Sequence, residues 1–183
     1  MRRALKAHAS SDRGPVVRIE ADIRRLHPRT LVLSFELVGD PDGLRIPAPA
    51  PEQRTDGLWR HTCFEAFLEL EGGGYLEFNL SPSGQWAAYR FEAYRDGMAP
   101  LEPFEPNEIA FARTGDGLSL KTALELPDLA GLPAEGPWRL GLAAVVEDAD
   151  GRIRYWALAH PPGKPDFHHS DGFACEVRAP EDA

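Results

Sequence analysis

The chain has 183 residues, an ordinary hydrophobic fraction of 43%, and a net charge of −9 from 20 Lys and Arg against 29 Asp and Glu. That length suits one globular domain with a sizeable core. The negative field repels a phosphate backbone and an anionic lipid surface, so neither nucleic acid nor membrane is an expected partner.

Residues 1–14 are polar, with basic residues but no apolar run behind them. They read as a flexible tail without a signal peptide, which points to a cytoplasmic protein. No segment approaches the roughly 20 apolar residues of a membrane span. From Val16 the pattern is that of strands. In "TLVLSFELVG", Leu31, Leu33, Phe35 and Leu37 alternate against Val32, Ser34, Glu36 and Val38, a period of two with one apolar face. Residues 39–58 are punctuated by Pro and Gly and read as a long loop, either functional or a crossover between sheets.

The next stretch, residues 62–98, is the most regular. Phe64, Ala66, Leu68 and Leu70 face one way, and Cys63, Glu65, Phe67 and Glu69 the other. "EGGGY" is a hairpin turn, because glycine supplies the positive φ of tight turns. Leu76, Phe78 and Leu80 then oppose Tyr75, Glu77 and Asn79. After "SPSG", Ala87, Tyr89, Phe91 and Ala93 alternate with Trp86, Ala88, Arg90, Glu92 and Tyr94. Further strands flank "GDG" and "ADG", and "FACEVRA" closes the chain. Many short strands with Gly and Pro turns, and no convincing helix, predict an all-β protein. The expected architecture is a two-sheet antiparallel β-sandwich over residues 15–178, with a tail over 179–183. Cys63 and Cys175 are expected as free thiols, and two cysteines make no zinc signature.

One face of the 62–98 meander must build the core. The other is read as Glu65, Glu77, Asn79, Trp86, Arg90 and Tyr94, with Trp59 on the loop before it. Arg139 reaches the same surface, beside Gly141 and Ala143, whose small side chains leave room above the sheet. Rings stack on the C–H face of a sugar, while carboxylates, an amide and a guanidinium pair with its hydroxyls. A noncatalytic module for a small polar ligand, carbohydrate above all, is the expectation. The alternative for this face is a solvated surface with charges paired across strands.

Other chemistries compete. Glu65, Glu77 and Glu92 offer a glycosidase its paired carboxylates. Met98, His61, His160, His168 and His169 are candidate axial ligands for haem, necessarily noncovalent because C-x-x-C-H is absent. His168 and His169 sit near carboxylates, but adjacent side chains in an extended segment point apart, so a polar, Pro-stiffened loop is expected rather than a metal site. There is no G-x-S-x-G, phosphate loop, H-E-x-x-H or dinucleotide fingerprint. A protein-interaction scaffold is the remaining class, and the oligomeric state is not legible.

Four segments in order, "LWRHTCFEAFLEL", "YLEFNLSPSGQWAAYRFEAYRDGM", "KTALELPDLAGL" and "YWALAHPPGKPDFHHSDGF", resemble the bacterial DOMON-like proteins, which are related to family 9 carbohydrate-binding modules. The resemblance spans about residues 15–178. It implies a β-sandwich with a ligand face on one sheet, and a superfamily whose members bind sugars or haem. It matches Glu65 to an acidic residue opening a strand, Trp59 to the aromatic before it, Trp156 to a Trp near the penultimate strand, and "LELPDL" to a short helical connection. The modules' second sugar-clamping Trp has no clear counterpart, and Trp86 is the candidate.

Overall fold

The computed structural model describes residues 1–180; of the tail expected over 179–183, residues 181–183 lie outside the described residues. Twelve strands run in chain order: β1 (Arg2–Ala7), β2 (Val16–His27), β3 (Thr30–Gly39), β4 (Cys63–Glu69), β5 (Tyr75–Leu80), β6 (Trp86–Phe91), β7 (Ala99–Pro100), β8 (Ala110–Thr114), β9 (Gly117–Glu125), β10 (Trp138–Glu147), β11 (Ile153–Ala157) and β12 (Cys175–Val177). The described residues contain no α-helix, only single 3-10 turns at Pro41–Gly43, Leu58–Arg60 and Ser170–Gly172. The "LELPDL" segment is the end of β9 followed by irregular chain, not a helical connection. Cys63 and Cys175 are both free and buried.

Antiparallel all-β architecture agrees with the sequence, but two separate sheets do not form. The strands make one curled sheet in the order β7-β6-β5-β4-β10-β11-β1-β2-β3-β9-β8, with β12 attached to β10. The joint is β1. Its residues Arg2–Leu5 pair with β2, while Lys6 and Ala7 pair with Ala157 and Trp156 of β11. The flexible tail expected over residues 1–14 is therefore corrected by this strand. Of β1 only Leu5 is buried, so the strand is held by ladder hydrogen bonds and carries no apolar alternation to reveal it.

The curled sheet brings two apolar faces together. Leu31, Leu33, Phe35 and Leu37 of β3 meet Phe64, Ala66 and Leu68 of β4 in one core, and the Phe35 and Phe64 rings lie 5.0 Å apart. Each large side chain so buried contributes roughly 1.5–3 kcal/mol. The segment between β3 and β4 crosses from one half of the sheet to the other and delivers Trp59 on the Leu58–Arg60 turn.

The half containing β4, β5 and β6 is buried on both faces. Every residue of β5 is buried, as is all of β6 except Arg90. The outer face is covered by the chain between β11 and β12, so it is not the solvated surface that the sequence left open. Phe173 of that segment lies over Gly141, where an added Cβ would come within 2.8 Å of its ring. The room expected above Gly141 is thus filled by the protein itself.

Candidate functional site

Register decides which side chains share the outer face. In β4–β5, Glu65 lies opposite Asn79 and Phe67 opposite Glu77. In β5–β6, Glu77 lies opposite Tyr89, Asn79 opposite Ala87, and Tyr75 opposite Phe91. Directly opposed residues point to the same side of an antiparallel sheet. The outer face of β6 is therefore Ala87, Tyr89 and Phe91. On β10, Ala143 stands opposite both Glu65 and Ala157 of β11. Alanines flanking Glu65 and Asn79 keep this row low, and a cleft of about 720 Å³ opens over it.

The floor of the cleft carries Glu65 and Glu77; Trp59, Tyr89, Tyr155 and Phe167 line it as well. Trp59 meets Tyr89 edge to face at 6.1 Å, and Phe167 meets Tyr155 in the same manner at 5.9 Å. The far end is sealed. Tyr75 stacks on Phe91 at 4.6 Å, Phe67 stacks on Phe173 at 6.1 Å, and the His168 ring sets its edge against Phe67, Tyr75 and Phe91. The covering segment is tied down by polar contacts. The Tyr75 hydroxyl is 2.8 Å from His168 Nδ1, and Arg95 donates to Asp166 at 2.8 Å. Tyr94 donates its hydroxyl to the same Asp166 carboxylate.

Charge is unevenly satisfied here. Burial, then the neighbouring Glu77, pushes Glu65 well above the usual carboxylate range. Burial also raises Glu77, but Asn79 Nδ2 donates to it at 2.7 Å and Arg95 lies near, and both pull it back. Glu65 has no such help: its Oε1 is buried without a hydrogen-bond partner among the described residues. Of the pair, Glu65 is thus the one that holds its proton to higher pH, and Glu77 is the more acidic. Burial, with Arg95 nearby, lowers His168 to about 4, so the ring is neutral. Burial lifts Tyr75 to about 12. Burial and a 2.5 Å hydrogen bond to Asp56 raise Tyr89 as well.

Of the residues read from sequence, Trp59, Glu65 and Glu77 line the cleft, and Asn79 braces Glu77 beneath it. Tyr94 is exposed and anchors the cover rather than forming a wall. Trp86 is a correction: it lies in the opposite core, edge-on to Phe104 at 5.6 Å. Arg90 is another, since it shares the Leu76 side of the sheet and emerges to solvent at the strand end. Both follow from a one-residue slip in β6. Leu80 pairs with Trp86, which puts Trp86 on the core side. Arg139 is also displaced, paired with Glu69 at 2.9 Å and donating to the Phe173 carbonyl. Trp156 is buried in the core.

Tyr89, Phe91, Arg95, Tyr155 and Phe167 were not singled out. The hairpin pairing of β5 with β6 would have found the first two. Nothing local in sequence reports the others, which arrive by long-range packing. The covering segment is the "PPGKPDFHH" stretch, whose Lys164, Phe167 and His168 line the cleft. Among the haem candidates, Met98 and His168 also line it; His61 is bonded to Glu147 at 2.7 Å and His160 to the Lys6 carbonyl. His169 Nδ1 accepts from the Asp171 amide. Glu92 is exposed outside the cleft. The described residues hold no group of three or more metal-ligating side chains.

No family model matches the sequence. No curated protein matches it either. Solved structures do share its fold over nearly the whole chain. A protein from Bacteroides uniformis, proposed to bind carbohydrate, superposes with a TM-score of 0.64 at 14% identity, covering 98% of this chain and 86% of the other. A family 9 carbohydrate-binding module from Caldicellulosiruptor kristjanssonii, solved with cellotriose, gives 0.59 at 11% identity, covering 100% and 84%. The same organism's module solved with glucose gives 0.54 at 11% identity, covering 98% and 86%. The chain has the fold of the family 9 carbohydrate-binding modules.

Proposed function

We propose that this chain is a noncatalytic carbohydrate-binding domain whose site is the cleft over β4, β5 and β6. Trp59, Tyr89, Tyr155 and Phe167 supply ring surfaces for the C–H faces of a sugar. Glu65 and Glu77 supply hydrogen bonds to its polar groups. The observation that supports this reading most is Glu65 itself, 3% exposed, unpartnered at Oε1, and lining an aromatic cleft. A buried polar atom without a partner costs about 1–3 kcal/mol, a cost that a bound hydroxyl removes. The fold-level likeness to modules solved with cellotriose and glucose adds to it.

The test is calorimetric titration of the intact chain with glucose and cellotriose, followed by Trp59→Ala. Trp59 is 38% exposed, so its removal leaves the core alone. Binding that weakens about tenfold or more in the variant is the expected result, corresponding to about 1.4 kcal/mol. Undiminished binding contradicts the assignment of the cleft. Turnover of chromogenic glycosides, abolished by Glu65→Gln, would instead make the carboxyl pair catalytic. Haem is the less favoured occupant. Met98 and His168 line the cleft, but a porphyrin face would lie against two buried carboxyls. A Soret band that depends on His168 would reverse that preference.

A further inference from the structure

The reading above leaves open which sugars the cleft prefers, and the carboxyl pair bears on that choice. Glu65 and Glu77 are 3% and 5% exposed, on adjacent strands of one sheet face. No cation is seated on either among the described residues. Arg95 is committed to Asp166, and the nearest basic group to Glu77 is His168, 3.9 Å away and neutral at neutral pH. A neutral sugar hydroxyl satisfies Glu65 Oε1 but leaves the buried carboxyl pair without a counter-charge. A bound ammonium satisfies the same atom and neutralises the pair. The rings around it favour a cation too, because the face of an aromatic ring is negative. Glu65 itself lines the cleft, and its cross-strand neighbour on β10, Ala143, has no side chain long enough to reach over it. The chain's net charge of −9 favours cationic over anionic ligands at long range.

Resting on the carbohydrate reading, we propose that the cleft selects a sugar bearing a protonated amine, with the ammonium seated against Glu65 and Glu77. The charged and titratable groups around Glu65 are Cys63 on its own strand, Glu77 from β5, Tyr89 from β6, Tyr155 from β11, Arg95 from the turn after β6, and Lys164 and His168 from the cover. Lys164 is exposed at the mouth and does not compete for the floor. When the amine binds, Glu65 gives up its proton to the buffer and becomes the second carboxylate of an ion pair. A neutral sugar has no reason to expel that proton.

The experiment compares three β-1,4-linked trimers that differ at the C2 substituent: the glucosamine trimer, cellotriose and the N-acetylglucosamine trimer. Each is titrated into the intact chain near pH 6.5, in buffers of differing ionisation enthalpy. The glucosamine trimer is expected to bind at least about tenfold tighter than either neutral trimer, with a proton release that neither neutral trimer shows. Glu65→Gln is expected to draw the affinity ratio towards one. Proton release is measured on the unaltered chain, so the test survives a variant that folds poorly. Equal or tighter binding of a neutral trimer, or an unchanged ratio in Glu65→Gln, overturns the amine preference and leaves the carbohydrate reading standing. If no trimer binds, the carbohydrate reading itself falls.

Discussion

Glu65 holds both the cost and the use of the site. Its pKa lies above that of the unfolded chain, for which the ordinary carboxylate value is 4.5. Below that pH both states are protonated and the residue costs nothing. As the pH rises past it, the unfolded state ionises while the folded state does not, so stability is lost until the folded carboxyl ionises too. Glu65→Gln removes this loss. The melting temperature of the variant relative to the parent should therefore climb as the pH rises above about 4.5. His168 works in the opposite direction, its pKa depressed to about 4, so that it costs stability as pH falls from 6.5. Comparing variant with parent at each pH cancels that contribution. A difference that does not vary with pH would show that Glu65 is not the strained carboxyl described here.

At the scale of elements, the covering segment turns an outer sheet face into a cleft. Its seat is Gly141 on β10, beneath Phe173. Gly141→Ala puts a methyl 2.8 Å from that ring and 3.2 Å from the Gly172 carbonyl. Overpacking of this kind costs about 1–3 kcal/mol, a fall of several degrees in melting temperature. Phe173 stacks on Phe67, so sugar affinity should fall as well. A variant that matches the parent in both measurements would mean the cover does not depend on this contact. The strands themselves were legible: β3 alternates cleanly, and "GDG" and "ADG" mark their hairpins. The parity of β6 was not. Both its faces are buried, so alternation of polarity cannot say which side Tyr89 or Trp86 takes, and register alone decides. Strand β1 escaped because it has a single buried residue, and the cover because its aromatic contacts span most of the chain.

Over the whole molecule, one curled sheet ends in two modest edges. On one side β7 is two residues long and ends in Pro100, which lacks the donor that a further strand needs. On the other, β8 is mostly exposed and flanked by the Arg113–Asp42 ion pair. Blunted edges and a net charge of −9 predict a monomer by light scattering at moderate concentration. A stable dimer would mean that an edge or an outer face is used after all. The central claim is that sugar binds over β4, β5 and β6, beneath the residue 164–168 segment. Its most direct test is a nitrogen–proton correlation spectrum titrated with cellotriose and the glucosamine trimer. The indole signal of Trp59 and the amides of Lys164, Asp166, Phe167 and His168 should move together and saturate, while the indoles of Trp86 and Trp156, buried in the opposite core, stay in place. Shifts centred instead on Arg90 or Arg139, or no shifts at all, would contradict the account.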